Sequence, residues 1–331
     1  MKALVYTAPN EMTLRNEPEP ALLDGEVVLR IDAVGICGSD LHAYHGRDPR
    51  RVPPLVLGHE LAGEIVAGPG RGRRVTVNPL IACGTCDYCV QGRNNLCSNR
   101  TMVGMTRAGG FAERMSIPVG NLIDLPADMD PVQAALTEPA ATALHAVHMA
   151  MRALHRPLQE CTVLILGGGA VGLLAALLLG AYGVRGVQLA ETNALRRDSA
   201  RSTGSCDPFD PASQSGPAEA SCDLVIDAVG AKSTRTAALR AVRPGGVIVH
   251  VGLQDWASEI DMRKLTLAEI ALIGTYTYTT ADLRATVKAI HGGVFGDLTW
   301  VEERPLAAGA AAFADLDQGR SAAAKIVLRP H

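Results

Sequence analysis

The stretch that most constrains this chain is Cys161–Val184, CTVLILGGGAVGLLAALLLGAYGV, which carries no charged side chain. By length and apolarity alone it could cross a bilayer. Its interior points elsewhere: six glycines interrupt it, three of them consecutive, with a β-branched run before them and an Ala/Leu run after. That order reads as strand, turn and helix.

The turn itself, Gly167-Gly168-Gly169-Ala170-Val171-Gly172, is a G-x-G-x-x-G between a strand and a helix, with Glu191 at the end of the next apolar run. Glycine there lets the chain turn tightly and bring backbone N–H groups to a pyrophosphate, whose charge the helix N-terminus favours. A carboxylate at Glu191 accepts the two hydroxyls of an adenosine ribose and repels a 2′-phosphate, so NAD is preferred over NADP. Arg196 and Arg197, one helical turn later, are what a phosphate pocket would supply instead.

The surrounding pattern supports an α/β unit. Thr162–Leu166, Gly186–Ala190, Leu224–Ala228, Gly246–Val251 and Ala271–Gly274 are short apolar runs bounded by Gly, Pro or charge, as parallel strands covered on both faces require. The irregular piece from Ser199 to Ser221 has room for one short strand at Pro208–Phe209. Before this unit, the first 125 or so residues alternate apolar and polar side chains with Pro/Asp/Gly punctuation, the signature of half-buried antiparallel strands. Val132–Leu154 reads as helix, interrupted near Glu138-Pro139. After Gly274 the pattern predicts one helix, Ala281–His291, and short strands ending at Lys325–Leu328.

Composition excludes several classes. Thirty-one basic and 34 acidic side chains leave a charge of −3 over 331 residues, so no overall field would hold the chain to nucleic acid or an anionic membrane. The N-terminal residues lack a signal-peptide apolar core, and the expectation is a cytoplasmic protein in a reducing compartment. Four of the eight cysteines crowd into Cys83-x-x-Cys86-x-x-Cys89-x7-Cys97. Four thiolates satisfy a tetrahedral zinc completely and leave no open position, so such a site holds a loop together. An iron–sulfur cluster also uses four cysteines, and disulfides are formally possible; the run lacks the proline that follows the bacterial cluster motif.

A third set is scattered: Cys37, Gly58-His59-Glu60 and Glu138-Pro139. Cysteine, histidine and a carboxylate make a mixed zinc site with one position left for water or substrate. Spacing alone does not separate this from ordinary packing.

In this order, Gly35-Ile36-Cys37-Gly38-Ser39-Asp40-Leu41-His42, Gly58-His59-Glu60, the four-cysteine loop, Glu138-Pro139 and the GGGAVG turn resemble the zinc-dependent medium-chain alcohol dehydrogenase family over nearly the whole chain. EPAATALHAV and the tail KIVLRP most resemble its polyol, threonine and butanediol dehydrogenase branch. The resemblance implies a GroES-like β-rich catalytic domain built from 1–138 and 276–331, with a Rossmann doubly wound domain at 139–275 between them. It implies Cys37 and His59 as ligands of a catalytic zinc, with Glu60 or Glu138 third. Asp40 would hold the His59 imidazole, and Ser39 and His42 would relay a proton; His45 has no implied role. A second, structural zinc would sit on the four cysteines. The nicotinamide would lie against Thr142 and Val171, the adenosine against Glu191 and Arg196, and Val229, Val251 and Leu253 would line the rest of the cleft.

The implied activity is reversible hydride transfer between a secondary alcohol, polyol or amino alcohol and the corresponding ketone. The implied state is a homodimer or homotetramer whose partner is a small molecule. An NADP-dependent reductase of the same family is the alternative, and a catalytically silent homologue would be expected to have lost Cys37, His59 or the acids, all present here. One departure is the run GPGRGRRV from Gly68 to Val75, several residues shorter than usual. Substrate-pocket candidates are Tyr44, Arg47, Arg107, Trp256 and Tyr276.

Overall fold

The computed structural model describes residues 1–214 and 216–331. Strand Glu26–Gly35 is the hub of a seven-stranded sheet. To one side lie Glu60–Ala67, Arg74–Val77 and Leu122–Asp124; to the other lie Lys325–Arg329 and Val301–Pro305, and Arg114–Pro118 pairs with the hub as well. The chain's last strand is thus a central member of a sheet begun near its start. Register sets Gly35 opposite both Glu60 and Val327, which gathers the residues after Gly35, the start of Glu60–Ala67 and the start of Lys325–Arg329 at one end of the sheet. The short GPGRGRRV run closes as the turn between Glu60–Ala67 and Arg74–Val77, with Gly68, Gly70 and Gly72 all at positive φ.

A second, six-stranded sheet is wholly parallel. Its order is Asp207–Phe209, Val187–Ala190, Val163–Leu166, Cys222–Asp227, Val242–His250, Ala271–Gly274. Counted along the chain this is 3-2-1-4-5-6, the doubly wound order that leaves a crevice beside the first strand. All six are the strands read from the sequence, shifted by a few residues at most. Helix Ala170–Ala181 buries Leu173, Leu174, Leu178 and Leu179 against Val163 and Ile165, each leucine contributing about 2 kcal/mol relative to exposure. The uncharged 161–184 stretch is therefore a buried strand and helix, and among the described residues no helix is long and apolar enough to cross a membrane.

Helix Thr137–Ala153 packs on that helix through its small residues, with Ala140, Ala143, Ala146 and Ala150 all buried. Helix Thr280–His291 packs in the same core through Leu283, Val287 and Ile290.

Two sequence expectations need correction. The break in the 132–154 helix falls at Leu136, between Pro131–Ala135 and Thr137–Ala153, so Glu138 and Pro139 are themselves helical. Pro139 sits in the first turn, where the missing N–H has no intrahelical partner to lose. The tail also holds a second helix, Gly309–Asp317, whose Ala312, Phe313 and Leu316 are buried at helical spacing.

Candidate active site and metal centres

Cys37 caps helix Gly38–Tyr44. Its Sγ accepts from Ser39 N at 3.5 Å, and Asp40 reaches back to Cys37 N at 3.0 Å, closing a capping box that fixes both side chains. His59 and Glu60 approach from the neighbouring strand. Gly58, at φ +93°, lets the chain pass the Phe111 ring, which a Cβ there would meet at 2.7 Å. Gly35 leaves the room that the Glu60 carboxylate occupies, since its Cβ would lie 2.3 Å from Oε2.

The result is convergence: one donor atom each from Cys37, His59 and Glu60 lie within 4.8 Å of one another. Glu138 is outside that set; its Oε1 accepts from the Tyr278 hydroxyl at 2.8 Å, and both residues are buried. Glu60 is held from behind by Lys325, whose Nζ donates to Oε1 and Oε2 at 2.7 and 2.6 Å and to Ile36 O at 2.8 Å.

The charges suit a bound cation. Cys37, Asp40, Glu60 and Glu138 bring four acidic groups into one buried region, where Lys325 meets Glu60 and Arg51 lies 4.0 Å from Asp40. Burial disfavours a charged His59, yet the facing Asp40 and Cys37 outweigh it and push its pKa well above the usual value. Burial and the neighbouring Glu60 push Glu138 up to about 7, against the opposing pull of His59. His59 Nδ1 and Asp40 Oδ1 lie 3.5 Å apart, both buried and neither hydrogen-bonded. Metal on the other imidazole nitrogen would direct the Nδ1 proton to Asp40. The residues fit a metal with an open position.

Ser39 is pinned by a side chain that sequence reasoning missed. The buried Arg51 donates to Ser39 O at 2.8 Å, Ser39 Oγ at 3.2 Å, Asp48 Oδ2 at 3.2 Å and Gly104 O at 3.1 Å. His42 lies half-buried on the same helix, its pKa lowered by burial and by nearby Arg47. His45 pairs with Asn10 and Asp317 and ties the helix down.

The cysteine lobe is equally well formed. The Sγ separations are 4.0 Å for Cys83–Cys89, 3.5 Å for Cys86–Cys89 and 3.6 Å for Cys83–Cys97, and all eight cysteines are free. Tetrahedral zinc with bonds of about 2.3 Å requires sulfurs about 3.8 Å apart, whereas a disulfide requires about 2.05 Å. Backbone N–H groups of Thr85 and Cys86 lower Cys83 to about 6, while burial and the Cys86 thiol push Cys89 up to about 12. A metal cation would resolve this conflict by taking all four as thiolates.

On the nucleotide side, Gly167 turns at φ +101°, where a Cβ would strike Val229 at 2.5 Å, and a Cβ on Gly172 would strike Gly167 O at 1.9 Å. Gly169 caps helix Ala170–Ala181 without a side-chain acceptor, which leaves its first N–H groups facing the crevice available for a phosphate. Glu191 is buried beside the turn, accepting from Gly168 N at 2.8 Å and Asn193 N at 2.7 Å. Arg197 is committed to the carbonyls of Glu191 and Thr192, whereas the buried Arg196 Nε has no partner. Val229, Val251 and Leu253 follow the ends of strands Cys222–Asp227 and Val242–His250, Leu253 being 70% exposed. Thr142 lies one turn beyond Glu138, whose carbonyl its hydroxyl meets at 3.4 Å, and Val171 is half-buried at the helix start.

The substrate-pocket candidates scatter. Arg107 forms a two-pronged pair with Glu26, Tyr44 packs on Phe313, and Tyr276 lies under the Arg100 guanidinium at 4.7 Å. Trp256, 88% exposed, edges a cavity of about 450 Å³ whose lining includes neither Cys37 nor His59. Arg235 in that cavity is occupied by His250, Ser258, Gly230 O and Asp255 O. Arg47 is exposed beside His42.

Known proteins match this arrangement along the chain. Residues 23–127 match the alcohol dehydrogenase GroES-like domain and residues 170–292 the zinc-binding dehydrogenase domain. The L-galactonate-5-dehydrogenase of Escherichia coli K12 is 33% identical over 323 residues, 93% of this chain and 92% of that protein. The L-threonine 3-dehydrogenase of Pectobacterium carotovorum is 33% identical over 294 residues, 83% of this chain and 84% of that protein. Among solved structures, a zinc-binding dehydrogenase of Sinorhizobium meliloti 1021 bound to NADP superposes with a TM-score of 0.86 at 30% identity, covering 99% of both chains. The rspB alcohol dehydrogenase of E. coli CFT073 complexed with NADH gives 0.87 at 26% identity, again over 99% of both. With a GroES-like unit, a doubly wound nucleotide sheet and both cysteine-bearing sites in place, the chain belongs to the zinc-dependent medium-chain alcohol dehydrogenase family, in its polyol and threonine dehydrogenase branch.

Proposed function

We propose that this chain is an NAD-dependent dehydrogenase carrying two zinc ions, which oxidises a secondary alcohol of a polyol or amino alcohol and reduces the ketone in reverse. The convergence of one donor atom each from Cys37, His59 and Glu60 carries this reading. When bound, zinc supplies Lewis-acid activation of the alcohol hydroxyl, and the nicotinamide supplies the hydride acceptor. Cys37 and His59 hold the catalytic ion, with Glu60 third by proximity and Glu138 the alternative donor; Cys83, Cys86, Cys89 and Cys97 hold the other.

The chain's own residues then divide the work. Asp40 fixes the His59 tautomer. Ser39, its hydroxyl held by Arg51, accepts the alcohol proton and passes it through His42 to solvent. Thr142 and Val171 orient the nicotinamide; Gly167, Gly169, Ala170 and Gly172 admit the pyrophosphate; Val229, Val251 and Leu253 line the cleft. Glu191 selects the unphosphorylated ribose. Arg196 lies near the adenosine; Arg197 is turned onto the backbone carbonyls of Glu191 and Thr192 and so is withdrawn from a 2′-phosphate, which, with Glu191, supports NAD over NADP.

The catalytic unit is assigned to 1–138 and 276–331 and the nucleotide unit to 139–275. Free thiols throughout support a cytoplasmic setting. A homodimer or homotetramer is supported by strand Ala271–Gly274, which forms one edge of the parallel sheet with Leu272 39% exposed on it. The test is nicotinamide reduction across polyols, secondary alcohols and amino alcohols with each cofactor. Turnover with NAD⁺ is expected; turnover that is faster with NADP⁺, or undiminished in Cys37→Ala, would overturn the assignment.

A further inference from the structure

The segment 275–280 leaves the edge strand Ala271–Gly274 and enters helix Thr280–His291, and it touches both metal-site regions. From the cysteine lobe, the buried Asn95 donates through Nδ2 to Tyr276 O at 2.8 Å. Asn94 Oδ1 accepts from Thr280 N at 3.1 Å, and the Arg100 guanidinium stacks over the Tyr276 ring at 4.7 Å while donating to Cys97 O at 2.7 Å. Two residues on from Tyr276, the fully buried Tyr278 donates its hydroxyl to Glu138 Oε1 at 2.8 Å. Thr277 between them is held at φ +47°. A β-branched residue keeps that conformation only where its surroundings enforce it.

We propose that this segment is a strap through which the four-cysteine lobe sets the orientation of the Glu138 carboxylate, with Tyr278 and Asn95 as positioning residues. A carboxylate held by one fixed donor on one oxygen cannot swing freely. Tyr278 can hold it in one place only if its own backbone is fixed, and the lobe fixes that backbone on both sides, at Tyr276 and at Thr280. The lobe thereby does more than brace its own loop.

The inference rests on the reading that Glu138 serves the catalytic centre, and the experiment separates the two. The protein is prepared with zinc in the lobe and Co²⁺ at Cys37 and His59, and the cobalt visible bands and turnover are recorded. Variants are Tyr278→Phe, Asn95→Ala, their double and Glu138→Gln. Tyr278→Phe is expected to shift the bands and lower turnover about tenfold, the scale of partners that orient metal ligands. Asn95→Ala is expected to shift them the same way, and the double variant to match Tyr278→Phe alone.

Wild-type bands in Tyr278→Phe or Asn95→Ala would overturn the strap, as would a double variant whose loss is the product of the single losses. If Asn95→Ala does not fold, Arg100→Met breaks the stacking on Tyr276 and takes its place in the cycle. Should Glu138→Gln leave bands and turnover unchanged, the reading of Glu138 itself fails; should it alter both while Tyr278→Phe does not, only the strap fails.

Discussion

Lys325 and Glu60, 265 residues apart in sequence, form a fully buried ion pair in which one ammonium meets both carboxylate oxygens, at 2.6 and 2.7 Å. The pair locks the last strand of the chain onto the residue beside His59. Removing the cation would strand a buried carboxylate, a loss of about 3–5 kcal/mol where it has been measured elsewhere. Lys325→Met is therefore expected to lower stability in denaturant titrations by that order, and to weaken zinc retention under chelator challenge. Unchanged stability would mean that Glu60 is not held by this contact.

Glu191→Ala removes the carboxylate that accepts from Gly168 N and Asn193 N. The expected result is a fall in kcat/KM for NAD⁺ of about tenfold, about 1.4 kcal/mol, together with a gain for NADP⁺ as the carboxylate that would repel a 2′-phosphate is removed. Steady-state kinetics with both cofactors decide it. A fall for both in equal proportion would assign Glu191 to the turn's structure alone.

Those two contacts differ in how visible they were beforehand. The glycine turn with Glu191, and the spacing Cys83-Cys86-Cys89-Cys97, are local patterns, so backbone requirements and ligand spacing expose them in a single sequence. Lys325 and Tyr278 act across 265 and 140 residues, and only the strand register and the helix packing bring them to the site. The sequence holds a hint of Lys325, a charge opening the apolar run IVL of strand KIVLR. Arg51 gave no such signal, sitting in a loop beside two other arginines. The helix Gly309–Asp317 is hard to read from sequence because GAAAFADLD offers few large residues that mark a period. The third zinc ligand stayed open because spacing does not say which of two buried glutamates faces Cys37.

Asp282 links two helices: it meets His145 Nδ1 at 2.9 Å and His148 Nδ1 at 3.4 Å on helix Thr137–Ala153, and the Thr279 cap of its own helix. Burial alone would raise its pKa, but the hydrogen bonds from His145, His148 and Thr279 outweigh it and hold the carboxyl far below the ordinary value. A depressed folded-state pKa contributes stability above the unfolded value, near 4, and that contribution is lost as pH falls through the folded value. Asp282→Asn should therefore cost about 1–2 kcal/mol at pH 7. The gap between wild type and variant should narrow below about pH 4. A gap independent of pH, in melts across that range, would show that the charge is not what matters.

The division between a zinc that shapes a loop and a zinc that activates substrate is tested most directly by zinc content, measured with turnover, in wild type, Cys97→Ala and Cys37→Ala. The account predicts about two zinc per chain in wild type and about one in each variant, with turnover abolished in Cys37→Ala. Two zinc per chain and full turnover in Cys37→Ala would contradict it.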